Sequence, residues 1–312
     1  MHRKERGFCM DKMIHRRLLL FYLLFAAASG AVLAIARVLM MYQWYDPIGQ
    51  MYERGTSIPV VFRILTVVAC GALCTSFFLF RKKRSAVDFR STTLFTVFSS
   101  SLCSFLMLAY LFVSLYTLYI TNFISLSALQ SHSDAASNER LRAFFYILHL
   151  LLLFPAALYF FRVAAVSRNS GNGFCILSMV PIVWGTVFLI AMYLDISVSF
   201  NSPDKLLGQL VLIFLMLYLV YETRYNMGIP RPRLYFPCAF LCIVLIMIYA
   251  IPDLLLNSLG TWRILGDNTM HAFGQGTVYY VMLLSFALYI FSRCLSFLRT
   301  PEEAPHFSAL PE

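Results

Sequence analysis

Between Leu18 and Leu298 the apolar residues of this chain fall into blocks of roughly 18–28 residues, with no amphipathic alternation inside them. A block of that kind has few stable fates. Its backbone must satisfy its own N–H and C=O groups as a helix, and its side chains must lie against lipid or other helices. Composition agrees: 60% of residues are hydrophobic and 13% charged, about half the charge of an average soluble domain. The fold class read from this is all-α, a polytopic integral membrane helical bundle of about eight transmembrane helices, N-in/C-in.

The clearest block pair runs from Asn201 to Asp253. Ser202 is placed to cap a helix that has Pro203 at its first position, where a missing N–H costs nothing. The 20 residues from Pro203 to Glu222 give roughly 30 Å of helix, the thickness of a bilayer's hydrocarbon. Gly228, Pro230 and Pro232 then break the helix, and Arg224, Arg231 and Arg233 crowd the turn. Basic turns stay on the cytoplasmic side, so this one is read as inner. A second helix follows and ends at Pro252-Asp253.

Taken in order, 1–17 is a basic tail, cytoplasmic in this reading. The span 18–41 carries small residues at Ala27, Gly30, Ala31 and Ala34 for close packing. It is too long for a signal-peptide core and is read as retained. An aromatic outer loop precedes 58–80, which ends at Arg81-Lys82-Lys83-Arg84, a strong inner signal. Further spans are 92–120, 141–166 with Pro155 inside it, 174–194, 203–222, 234–252 and 277–298. Residues 254–276 are too apolar for a free loop and read as an interfacial segment. Together 18–298 form one membrane domain, and 299–312 reads as a disordered cytoplasmic tail.

Charge placement supports this topology. Eighteen of the 25 Lys and Arg residues fall in segments read as inner or at the inner ends of spans, five in outer loops or at the outer ends of spans, and Arg37 and Arg63 are counted within spans. The net charge of +10 therefore points to anionic headgroups at the inner face of the cell membrane, and not to nucleic acid. Of the eight cysteines, Cys9 lies in the N-terminal tail and the others lie in or beside spans. No outer disulfide framework is expected. Cys70/Cys74 and Cys238/Cys242 each share a helix face and read as packing residues.

Ionisable and polar groups inside a bilayer are costly, and those present are the candidates for function. The span 92–120 carries a stripe of Thr92, Thr96, Ser99, Ser100, Cys103, Tyr110, Ser114, Thr117 and Thr121. It is either interhelical hydrogen bonding or one wall of a hydrated cavity. Arg37 and Arg63 should sit near the outer surface, with Asp46, Glu53, Asp195 and Asp253 as candidate partners. They form structural ion pairs or a carboxylate-binding site. His149 is well inside its span and reads as a neutral core histidine or a proton relay. Glu222, beside Tyr218 and Tyr225, reads as an anchor at the inner edge.

The sequence holds no H-E-x-x-H, G-x-S-x-G or G-x-x-x-x-G-K-[ST] pattern, and no cofactor site is read from it. The leading functional expectation is binding or translocation of a small ligand through an intramembrane polar cavity. Arg37, Arg63, Ser100, Ser114 and His149 are its candidate ligand-binding residues. The alternatives are a non-catalytic partner or sensor subunit docking another membrane protein, and an intramembrane lipid-modifying enzyme. The enzyme reading lacks a visible nucleophile–base pair or metal set.

Overall fold

Eight helices long and apolar enough to cross a membrane make up the computed structural model. It describes residues 2–46, 51–52, 57–79, 93–120, 134–165, 172–194, 202–227, 229, 231–258 and 276–298. Helix α1 is His2–Trp44, so the basic segment read as a tail continues the first span as helix. A two-residue antiparallel pairing follows, β1 Tyr45–Asp46 with β2 Met51–Tyr52. The second span is split at Thr75 into α2 Ile58–Cys74 and α3 Ser76–Leu79. Then come α4 Leu94–Ile120, α5 Asp134–Ala165 and α6 Asn172–Leu194. The last three are α7 Pro203–Asn226, α8 Pro232–Ser258 and α9 Thr277–Ser296. Leu254–Ser258, read from sequence as the start of an interfacial segment, are the last turns of α8. Residues 259–275 and 299–312 lie outside the described residues.

Local chemistry sets several helix ends. Thr93 caps α4 through Oγ1, which accepts the Thr96 N–H at 3.1 Å. Ser202 does stand at the N-cap of α7 with Pro203 after it, but its hydroxyl makes no capping bond. The α7–α8 turn closes partly through the Ile229 N–H, which donates to the Arg224 carbonyl at 2.9 Å.

Six helices close into a ring. Each of α4 to α9 packs on the next in sequence, and α9 returns to α4. Helix α1 lies outside the ring along α8, and α2–α3 lie against α1 and α8. The apolar window of α8 is 78% buried and that of α2–α3 only 11%, so α8 is the pillar and α2–α3 the lipid-facing edge.

Close crossings rely on small residues. A Cβ on Gly30 would stand 2.9 Å from Met247 Sδ, so α1 approaches α8 there. A Cβ on Gly208 would stand 2.9 Å from the Tyr249 hydroxyl and 3.0 Å from Met192 Cε, where α6, α7 and α8 meet. Gly208→Ala is expected to lower stability by about 1–3 kcal/mol through overpacking. Gly71→Ala, with nothing within 4 Å of the new carbon, is expected to leave stability unchanged or slightly raised. Thermal unfolding of the two variants in nanodiscs checks the contrast.

Candidate functional site

Two buried ionic centres mark the two ends of the ring. The first forms around Arg37, which is 1% exposed. Pro252 has no N–H, so the Ile248 carbonyl four residues back in α8 loses its helical donor. Arg37 Nη1 fills that place at 2.7 Å and also reaches the Tyr249 carbonyl at 3.2 Å. Its Nη2 donates to Asp204 Oδ1 at 2.5 Å, and Asp253 Oδ2 stands 3.5 Å from Nη1. The guanidinium also lies 5.8 Å from the centroid of the Tyr249 ring. Tyr52 of β2 is beside it, its phenol pushed up to about 12 by burial with the guanidinium opposing. Asp253 was a sequence candidate for this role. Asp204 was not among the candidate partners, and it makes the shortest contact.

The second centre lies at the other end of α7. Glu222 is fully buried, and its Oε1 accepts from Tyr289 at 2.5 Å and from Arg293 Nε at 3.1 Å. Tyr218 and Tyr235 hydroxyls meet beside it at 3.1 Å, and Asn226 Nδ2 donates to the Tyr159 hydroxyl at 3.2 Å. Glu222 is therefore a member of an ion pair between α7 and α9, and not an edge anchor. Asp204 and Glu222 are separated along α7 by 18 positions, which is about 27 Å of helix and close to the hydrocarbon thickness.

An aromatic spine joins the two centres. Tyr249 meets Tyr280 with centroids 5.6 Å apart, and Tyr279 follows Tyr280 at 5.5 Å. Tyr279 meets Tyr110 at 5.7 Å, Tyr110 meets His149 at 5.9 Å, and His149 meets Trp184 at 5.7 Å. Beyond Trp184 the contacts become apolar: Phe286 at 6.0 Å, Phe160 at 5.3 Å from Phe286, then Tyr289 at 5.2 Å. The half nearer Arg37 is thus lined by polar rings, and a phenylalanine plug separates it from the Glu222 pair.

The middle of the spine carries the unusual chemistry. His149 Nδ1 and Nε2, Trp184 Nε1 and the Tyr279 hydroxyl are buried without a hydrogen-bond partner among the described residues, and Ser114 Oγ lies beside the Tyr110 and Tyr146 hydroxyls. Phe188 stacks on His149 at 4.2 Å. These groups come from α4, α5, α6 and α9, so they face the interior of the ring. Each unsatisfied group costs about 1–3 kcal/mol in a low-dielectric interior. Among the described residues, the side chains of the cluster are uncharged.

No protein-family model matches this chain, and no curated protein or solved structure is significantly similar to it.

The structure sorts the sequence candidates unequally. It brings His149 and Ser114 together with Tyr110, Trp184 and Tyr279. It places Arg37 at one end, linked to them through Tyr249, Tyr280 and Tyr279. Ser100 is buried in the stripe, but its hydroxyl donates to the Thr96 carbonyl of its own helix at 2.7 Å. Ser99 shares a 2.7 Å bond with Ser292 of α9. That part of the stripe holds helices together, and Thr117, also read as part of it, is exposed. Arg63 is exposed on α2 and is not brought to Arg37. Glu53 and Asp195 lie outside the described residues. Among the described residues no three His, Cys, Asp or Glu side chains cluster to hold a metal, and seven cysteines are free thiols.

Proposed function

We propose that this multi-pass membrane protein binds a small, uncharged, hydrogen-bonding solute inside the six-helix ring, at His149, Tyr110, Ser114, Trp184 and Tyr279, and passes it across the bilayer. The observation that carries the reading is the set of buried polar atoms without partners among the described residues. Such groups are ordinarily satisfied by something, and in a bilayer the price of leaving them bare rises. Histidine offers one donor and one acceptor, indole a donor, and the hydroxyls either. The rings around them supply apolar walls, as small-molecule sites require. Among the described residues the site itself is built from neutral side chains, which favours an uncharged solute. From the positive-inside asymmetry we read the Glu222 end and both termini as cytoplasmic, beside anionic headgroups of the cell membrane, and the Arg37 end as outside.

The test is release of bound material. Protein reconstituted in nanodiscs is denatured and the supernatant is surveyed by mass spectrometry for small molecules. Wild-type protein is expected to release one neutral solute in near-stoichiometric amount. His149→Phe and Tyr279→Phe, which keep the aromatic packing, are expected to release at least tenfold less. Equal release from all three proteins would remove the site from His149.

One observation favours a second reading, a membrane-embedded partner subunit. Helix α2 buries little of itself and exposes Arg63 together with Val60, Ile64 and Val67. A stoichiometric membrane partner retained in mild detergent, and lost with Arg63→Leu, would support it.

A further inference from the structure

The Arg37 centre holds two carboxylates and one guanidinium, and the two carboxylates are not equivalent. Asp204 sits in the first turn of α7, where the helix N-terminus favours a negative charge. It takes the hydrogen bond from Arg37 Nη2, and its side chain is 20% exposed. Asp253 lies deeper. Its Oδ2 is buried, is 3.5 Å from Arg37 Nη1, and has no hydrogen-bond partner among the described residues. Nη1 is meanwhile directed at the Ile248 and Tyr249 carbonyls. One guanidinium thus compensates Asp204 by a direct bond and leaves Asp253 with a partial ion pair. A carboxylate in that position is neutralised most simply by a proton.

The surroundings give that proton somewhere to matter. Among the described residues, the charges acting on Asp253 are those of Arg37 of α1 and Asp204 of α7. Lys205, next to Asp204 on α7, is buried as well. Tyr249 of its own helix, Tyr52 of β2 and Tyr279 and Tyr280 of α9 all lie close enough to feel its charge. Tyr279 belongs both to this set and to the His149 cluster. We propose that Asp253 is a proton-carrying site that couples solute occupancy of the His149 cluster to protonation from the Arg37 end of the bundle. Uptake converts the Asp253 carboxylate to the neutral acid. That loosens the hold of Arg37 on α8 and leaves the Arg37–Asp204 pair balanced one to one. Release of the proton restores the second charge. The inference rests on the proposed solute site for its purpose, but the protonation itself needs no solute.

Infrared difference spectroscopy on the full chain in nanodiscs, between mildly alkaline and mildly acidic buffer, tests it without a ligand. The expected result is a protonated-carboxyl stretch that shifts in heavy water, is lost in Asp253→Asn, and persists in Asp204→Asn and in Glu222→Gln. Asp253→Glu, which keeps the acid, is expected to return the band at a shifted position and guards against loss through misfolding. The proposal is overturned if wild type shows no such band, or if the band survives in Asp253→Asn. Suppression of the band by sodium relative to choline at fixed pH would assign the site to a metal cation, which also overturns it. Loss of solute release in His149→Phe with the Asp253 band intact would leave both proposals standing; a missing band with normal release would remove this one alone.

Discussion

Arg37→Met is expected to destabilise the protein by about 3–5 kcal/mol, because removing one partner strands charges in a buried site. The substitution preserves much of the side-chain volume, so the loss is electrostatic. It leaves the Asp204 carboxylate without its 2.5 Å donor and Asp253 without its counter-charge. It also strips the donor from the Ile248 carbonyl, which Pro252 prevents α8 from satisfying. Arg37→Lys should recover part of the loss, since an ammonium keeps the charge but cannot fork between a carboxylate and two carbonyls. Midpoints of thermal unfolding in nanodiscs, wild type against both variants, check the order. Arg37→Met as stable as wild type would mean that the three-way contact among α1, α7 and α8 is not formed.

Arg293→Leu carries the second large effect, again about 3–5 kcal/mol, by isolating Glu222 in the interior. The informative comparison is the double variant Glu222→Gln with Arg293→Leu, set against the two single variants. A buried pair replaced as a unit is often close to neutral, so the double variant is expected to be far more stable than the sum of its single losses. The Tyr289 hydroxyl, 2.5 Å from Glu222 Oε1, can still donate to the glutamine carbonyl. Additive losses in this cycle would show that the two side chains do not interact across α7 and α9.

Helix type and span positions are legible in the sequence because the bilayer imposes them: a block such as Pro203–Asn226 has no other way to satisfy its backbone. The interior position of His149 is legible for the same reason. Its neighbours are not, since Tyr110, Trp184 and Tyr279 come from three other helices and no periodicity links them. Arg37 was visible as a costly residue, and one available signal pointed further. Pro252 frees the Ile248 carbonyl, which needs a donor from outside α8. Glu222 was misread because a helix end tells nothing about which of its faces turns inward. Its partner Arg293 lies 71 positions away and reads as one more inner-face cation. The serine stripe was read correctly as periodic, but Ser100 spends its hydroxyl on its own helix, as serine commonly does.

The unpartnered polar atoms around His149 are expected to hold something other than the chain itself. A high-resolution cryo-electron microscopy map of the protein in lipid nanodiscs tests this directly. The expected result is non-protein density within hydrogen-bonding distance of at least two of His149, Trp184, Tyr110, Ser114 and Tyr279, and its loss in His149→Phe. Dry ring-on-ring packing, with the histidine and indole nitrogens satisfied by neighbouring side chains or carbonyls, would contradict it and leave the cluster as core.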